Sequence, residues 1–315
     1  MILPGDQFKF QAEDSDAGQR LDVWISRQLG ADVSRSQVQK WIQCGQLTGD
    51  SEKSPPVSYR IRPGDHFQLS IPAPLKPLDE PVDLKLKVLF EDEHLAIIHK
   101  PPGLATHPGP GERRLTLING LLHLWSDLPG AQGDLLRPGI VHRLDRDTEG
   151  ILVVARHSRA LRELSALFSQ RAVEKDYLAW LAGSPPTAEG SVDEPIRRHP
   201  THRTRMIISP DGRPARTGYR IETTRISRRG RKFAFVRIRI HTGRTHQIRI
   251  HMASLRAPVV GDSIYGKPES ELRRYGMLLL AHRLAFKHPL TGASLDFQLD
   301  LPERFQEFAH NCERY

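Results

Sequence analysis

His142-Arg143-Leu144-Asp145-Arg146-Asp147-Thr148-Glu149-Gly150 runs directly into Ile151-Leu152-Val153-Val154-Ala155. The first stretch is dense in charge and ends on glycine; the second is wholly apolar. Such a junction reads as a loop entering a buried strand, with Gly150 free to take a tight turn that a side chain would oppose. Asp145 lies between basic neighbours, a setting that suits a working carboxylate. It equally suits a solvated, charge-rich loop, because a carboxylate beside an arginine is often only an ion pair.

Outward from this junction, strands alternate with helices. Val88 to Phe90, the turn Glu91 to His94 and Leu95 to His99 predict a hairpin upstream. Downstream, Leu161, Leu164, Leu167 and Phe168 share the face of a helix that starts after Ser158, and Tyr177 to Leu181 reads as another strand. Phe233 to Ile240 alternates Phe and Arg against Ala, Val and Ile, a period of two that turns one side to the core and sends Arg237 and Arg239 the other way, toward solvent or a partner. His246 to Ser254 reads as a helix, with Ile248 and Met252 four apart and Thr245 as its cap.

The N-terminal region has a different rhythm. Leu21, Trp24, Ile25 and Leu29 form one helical face, and Val38, Trp41 and Ile42 another, with Ser34 placed to cap the second helix. Tyr59 to Arg62, the turn Pro63-Gly64-Asp65 and the alternating Phe67, Leu69 and Ile71 predict a small sheet. Proline-rich Ile71 to Leu78 reads as a semi-rigid linker. The expected organisation is a tail over 1–17, a small domain over 18–71, a linker over 72–86 and a large domain over 87–315.

The 315 residues include 46 Lys and Arg against 37 Asp and Glu, a formal charge of +9 that favours a polyanionic partner over acidic small molecules alone. Two cysteines, Cys44 and Cys312, make a disulfide framework or a cysteine zinc site implausible and fit a reducing cytoplasm. No apolar stretch is long enough for a membrane span or a secretory signal. No dinucleotide fingerprint or P-loop is present, and His241, His246 and His251 recur at a spacing that suits neither helical nor strand metal ligands; neither cofactor nor metal is expected.

His-Arg-Leu-Asp-Arg-Asp-Thr-Glu-Gly resembles the signature of the RluA family of RNA pseudouridine synthases. Three further stretches match that family in order: Lys100-Pro101-Pro102-Gly103-Leu104 with Thr106-His107-Pro108-Gly109, then Glu174-Lys175-Asp176-Tyr177-Leu178-Ala179, then Thr242-Gly243-Arg244-Thr245-His246-Gln247-Ile248-Arg249-Ile250-His251. Gly18-Gln19-Arg20-Leu21-Asp22 and Pro63-Gly64-Asp65 resemble the alpha-L RNA-binding domain often fused before such enzymes, although Gly45-Gln46-Leu47-Thr48-Gly49-Asp50 departs from the turn usual there. The resemblance implies an α+β fold, with a mixed, largely antiparallel central sheet flanked by helices and a small α/β RNA-binding domain in front.

It also implies roles. Asp145 matches the catalytic aspartate, Arg249 the arginine paired with it, and Tyr177 the tyrosine beside the target base, where a ring can stack and a phenol can help move a proton. A bidentate guanidinium would fix the direction of the carboxylate. Arg143 matches the residue that fills the gap left by the departing uridine; His142 beside it is counted with the substrate-binding candidates, and its own setting reads as a loop-ordering hydrogen-bond partner rather than a base. Arg244, His246 and Gln247 in the arginine motif are further candidates for substrate contact. So are Arg198 and Arg203, in a basic stretch resembling an insertion of the large-subunit rRNA members, and Arg35 in the small domain.

The expected activity is isomerisation of specific uridines in large-subunit (23S) ribosomal RNA, free or in preribosomal particles, by a cytoplasmic monomer that needs no cofactor. A tRNA enzyme of similar sequence and a non-catalytic ribosome-assembly factor are the alternatives. Asp145, Tyr177 and Arg249 together argue against the latter, because binding alone requires no such combination. A hydrolytic glycosidase lacks a second carboxylate with a defined role.

Overall fold

The computed structural model describes residues 6–30, 33, 35–50, 54–70, 80–108, 114–130, 137–202, 204–266 and 270–314. The chain divides into two compact units, Met1–Pro77 and Leu78–Tyr315. The first holds β1 (Gln7–Gln11), α1 (Leu21–Leu29), α2 (Arg35–Gln43), β2 (Leu47–Gly49) and β3 (His66–Ser70). Leu21, Trp24 and Ile25 of α1 pack with Val38 and Ile42 of α2 over a sheet ordered β1-β3-β2, as the helical periodicities predict.

The stretch read as an N-terminal tail contributes β1, antiparallel to β3. Phe8 and Phe10 alternate with polar residues, and both lean on the small core, so burial of one face recruits the strand. Ser34, expected to cap α2, lies outside the described residues, as does the whole proline-rich stretch Ile71 to Leu78.

The second unit runs β4 (Lys87–Glu91), β5 (Leu95–Lys100), α3 (Leu117–Leu124), β6 (Glu149–Ala155), α4 (Ser158–Ser169), β7 (Glu174–Ala182), β8 (Glu189–Asp193), β9 (Ile196–Arg198), β10 (Met206–Ile208), β11 (Arg216–Ile226), β12 (Lys232–Ile240), α5 (Gln247–Ser254), the short α6 (Ser270–Arg273), β13 (Leu279–Lys287), β14 (Ser294–Gln298) and α7 (Glu303–Asn311). Its main sheet is ordered β4-β5-β6-β13-β7-β12-β11-β8, with β14 on the far part of β13. Among the described strands of this sheet only β6 and β13 pair in parallel; the other strand pairs are antiparallel, in keeping with the mixed, largely antiparallel sheet expected.

Both faces of the sheet centre are covered, which is why β6 is apolar at consecutive positions. Leu152 and Val154 join Tyr177, Ala179 and Leu181 of β7, together with Leu117 and Leu121 of α3 and Ile248 and Met252 of α5. Ile151, Val153 and Ala155 meet Ala160 and Leu164 of α4 on the other face. Farther along that second face, Trp180 and Phe233 lie under Phe305 and Phe308 of α7. Strand alternation therefore puts Tyr177 on the face that carries α5.

Two expectations change here. The end of the predicted linker is docked on α3: Val82 N–H donates to the Asn119 carbonyl at 3.0 Å, and Asn119 Nδ2 donates to the Glu80 carbonyl at 2.9 Å. Leu86 packs so closely on Gly120 that a Cβ there would stand 2.7 Å from its methyl carbon. Arg237 and Arg239 do point away from the α5 face, yet both are engaged within the sheet. Arg239 binds Asp176 in two hydrogen bonds of 2.7 and 2.8 Å, and Arg237 reaches Glu222 at 3.1 Å.

Gly150, with φ of +141°, holds the end of the loop against β13. A Cβ at this position would stand 2.4 Å from the Ala281 carbonyl oxygen. Gly150→Ala is expected to lose roughly 2–4 kcal/mol of unfolding free energy through backbone strain and overlap. Chemical denaturation measures this, and a change below about 0.5 kcal/mol would show that β6 and β13 tolerate separation.

Candidate active site

The loop leading into β6 is fixed on both sides of Asp145. Thr106 Oγ1 donates to the Leu144 carbonyl at 2.7 Å and accepts from the Leu144 amide at 3.2 Å. Lys100, wholly buried at the end of β5, donates from Nζ to the Arg146 carbonyl at 3.0 Å and to the Pro101 and Leu104 carbonyls at 2.8 Å. Burial draws the Lys100 ammonium down to about 8, against the opposing pull of Asp147, Asp145 and Glu149. Its placement, an amine ending an apolar strand before Pro101-Pro102-Gly103, is a sequence signal that was available but yielded no role.

Arg249 comes from α5. Its Nη1 donates to Asp145 Oδ2 at 3.2 Å, so the pairing is a single hydrogen bond. The bidentate grip expected for Asp145 belongs instead to Asp262, whose oxygens accept from Nε at 2.7 Å and Nη2 at 2.8 Å. Asp262 also accepts the Ile264 and Tyr265 amides at 2.8 and 3.0 Å. Burial opposes both charges, but their mutual contacts outweigh it, holding Arg249 above the ordinary arginine range and Asp262 below the usual carboxylate range.

Asp262 was missed by sequence reasoning. Its signal is an aspartate enclosed by glycines in Gly261-Asp262-Ser263-Ile264-Tyr265-Gly266. Gly261 has φ of +78°, and a Cβ there would overlap the Gly276 carbonyl oxygen at 1.8 Å.

Tyr177 is 8% exposed, and burial, reinforced by the Asp145 charge, pushes its phenol above the ordinary tyrosine range. His246 precedes α5 in the left-handed conformation, with φ of 57°, and itself occupies the cap position predicted for Thr245. Its Nε2 stands 4.0 Å from Asp145 Oδ2, and its Nδ1 stands 3.0 Å from the Tyr265 hydroxyl. Burial lowers its pKa, with Arg249 adding to the effect and Asp145 opposing it.

The remaining candidates separate into those that build the site and those that remain open to a ligand. His142 accepts the Val153 amide at Nε2, 3.0 Å away, and stacks on Phe168. Burial takes its pKa down to about 3, and the neutral ring anchors the loop through that hydrogen bond and the stack on Phe168. Gln247 is likewise internal: Oε1 accepts from Thr242 and the Arg244 amide, and Nε2 donates to the Arg216 carbonyl and Thr217 Oγ1. With every polar position of its amide occupied, it locks the turn before α5.

Arg244 donates to the Pro214 carbonyl at 3.1 Å and remains partly exposed. Arg143 is exposed, with no ion pair among the described residues. Arg198 is exposed at the end of β9, close enough to Arg143 for their charges to interact. Arg203 lies outside the described residues. Arg35 belongs to the N-terminal unit, where it shares the buried Asp22 with Arg20 and Gln39. His251 uses its nitrogens on Thr217 and the Glu194 carbonyl, so it does not converge with His246.

The arrangement is a carboxylate, 15% exposed, backed by a fixed cation, flanked by an imidazole and faced by a neutral phenol. Such a group can attack or deprotonate a sugar while an aromatic ring holds a base. A family model described as RNA pseudouridylate synthase matches residues 94–254, a span that includes Asp145, Tyr177 and Arg249 but stops before Asp262. The chain is 42% identical over 305 residues to an uncharacterized RNA pseudouridine synthase of Chloroflexus aurantiacus, covering 97% of this chain and 93% of that one. It is 36% identical over 314 residues to the ribosomal large subunit pseudouridine synthase D of Escherichia coli, covering 96% and 93%. Among solved structures, human RNA pseudouridylate synthase domain containing 1 superposes with a TM-score of 0.55 at 25% identity, over 68% of this chain and 83% of that chain.

Asp262→Ala is expected to cost about 3–5 kcal/mol of unfolding free energy, because it leaves the Arg249 guanidinium buried without its main counter-charge. Urea titration measures this, and a loss below about 1 kcal/mol would mean that Arg249 is held by other contacts.

Proposed function

The chain belongs to the family of RNA pseudouridylate synthases, isomerases that convert uridine in RNA to pseudouridine, and from that membership we propose that it modifies specific uridines of large-subunit ribosomal RNA. Asp145 is the catalytic carboxylate, acting on a uridine turned out of the RNA stack. The observation that carries this reading is the Asp145 carboxylate itself, partly open and held by the one Arg249 nitrogen that Asp262 leaves over. The ribosomal target is supported by the large-subunit enzyme of Escherichia coli, similar along nearly its whole length. The surplus of cations supports it as well.

Isomerisation breaks the bond between uracil N1 and ribose C1′, turns the base, joins C5 to C1′, and moves a proton from C5 while N1 gains one. No electron is gained or lost overall, so the chain's own acid and base groups suffice. Asp145 assists cleavage of the glycosidic bond. Arg249 fixes its direction, an electrostatic role that needs no reorganisation during the reaction. Tyr177, held as a neutral phenol, serves better as a stacking face than as a base.

Extruding the uridine costs roughly a few kcal/mol in lost stacking, and the free Arg143 guanidinium fills the vacated space. Arg198 and Arg205 on the β9–β10 hairpin approach phosphates, which fix register without reading sequence. The N-terminal unit adds affinity for RNA. The protein works as a cytoplasmic monomer.

Release of tritium from C5 of uracil tests this directly. Wild-type protein is expected to release label from unmodified large-subunit rRNA, whereas Asp145→Asn releases at least a thousandfold less and retains RNA binding within about threefold. Release from tRNA alone would overturn the ribosomal target, and equal loss of binding and turnover in Asp145→Asn would overturn the division of labour. Removal of residues 1–75 is expected to raise the Kd for RNA at least tenfold while leaving single-turnover chemistry at saturating protein within about threefold. A matching fall in the chemical step would refute a purely binding role for that unit.

A further inference from the structure

Tyr265 stands where three elements meet and has no part in the chemistry above. The Asp262 turn presents it, and its hydroxyl accepts the Met206 amide of β10 at 2.8 Å. The same oxygen is 3.0 Å from His246 Nδ1 and 3.4 Å from the Met206 carbonyl. Its ring lies 5.3 Å from the Arg249 guanidinium and 5.7 Å from that of Arg205, just before β10. Ile196, Met206, Ile208 and Ile250 pack with it, seating the β9–β10 hairpin on α5.

A phenol has one proton to donate. With the Met206 N–H already pointing at the oxygen, that proton can go to His246 Nδ1 or to the Met206 carbonyl. The 3.4 Å separation to the carbonyl exceeds the usual O–H···O range, whereas 3.0 Å to His246 does not. His246 Nδ1 is then the acceptor, and its proton resides on Nε2, the nitrogen facing Asp145 at 4.0 Å. The opposite tautomer would turn a lone pair toward the carboxylate.

We infer that Tyr265 is a positioning residue that fixes His246 as the Nε2–H tautomer, so that the imidazole donates into the Asp145 site, and that it does so only while the basic β9–β10 hairpin is seated on it. His246 acts as a donor that tightens onto Asp145 or a substrate oxygen when RNA is bound, as hydrogen bonds at reacting centres commonly do. The hairpin backbone and the imidazole thereby share one hydrogen-bonded chain, Met206 amide to Tyr265 hydroxyl to His246 Nδ1, and the far nitrogen of that ring faces Asp145 across 4.0 Å. The inference rests on the reading of Asp145 as the catalytic carboxylate.

The test uses full-length protein carrying 15N-labelled histidine, with His246 assigned by the signal lost in His246→Gln. Protonated and bare imidazole nitrogens resonate well apart. Wild type is expected to show a bare Nδ1 and a protonated Nε2, and Tyr265→Phe, which keeps the ring and its contacts with Arg205 and Arg249, to show averaging between tautomers. In tritium release, Tyr265→Phe is expected to lower kcat at least tenfold with KM within about twofold.

A protonated Nδ1 in wild type, unchanged resonances in Tyr265→Phe, or changed resonances with unchanged kcat would each overturn the inference. A rise in KM matched by a lowered Tm, with the His246 signals unmoved, would reduce Tyr265 to a packing residue. Absence of turnover by wild type would defeat the proposed function instead, and the resonances would still decide the tautomer.

Discussion

The pair between Arg249 and Asp262 is the constraint on which the site depends. Each residue is 3% exposed, and an isolated charge at either position would carry a desolvation cost of several kcal/mol. Two short hydrogen bonds join them, and two backbone amides occupy the remaining capacity of Asp262. What the pair leaves over is one guanidinium nitrogen, and that nitrogen faces Asp145. The direction of the Asp145 carboxylate is thus set by a second carboxylate far along the chain, whose turn also presents Tyr265.

The pair needs a rigid frame, which the doubly covered sheet provides. Strand alternation sends Tyr177 to the face on which α5 packs through Ile248 and Met252, so that Arg249, on the same helix, reaches the mouth of the loop before β6. Lys100 and Thr106 then clamp that loop through the carbonyls and amide of the two residues flanking Asp145. Interior packing tolerates little displacement, and a side chain held through backbone contacts on both sides inherits that rigidity.

The cationic surplus is divided between two uses. Arg239 and Arg283 converge on Asp176, Arg304 on Glu149, and Arg35 and Arg20 on Asp22, all carboxylates that are buried or nearly so. These arginines are part of the fold. Arg143 is exposed without such an engagement among the described residues, and Arg198 and Arg205 lie on the hairpin that seats on Tyr265. Each such pair cancels one charge of either sign, so the formal charge of +9 is the cationic surplus left for a polyanion.

Patterns spaced along the chain were legible in advance. The apolar run of β6, the period of β12, both N-terminal helical faces and the helix after Arg244 all follow from residues a few positions apart, and so did the motif residues Asp145, Tyr177 and Arg249. Local periodicity decides which face of an element is buried, because it reflects backbone geometry alone. Partner choice was not legible. Asp262 taking the bidentate grip from Asp145, Gln247 turning inward, Arg35 bound to Asp22, and β1 arising from an expected tail all depend on residues brought together from distant positions. The sequence by itself determined the periodic elements, their buried faces and the motif side chains proposed to react. The tertiary structure alone decided which charges meet, since hydrogen bonds and ion pairs act over a few ångströms and only folding brings residues 145, 249 and 262 within that range.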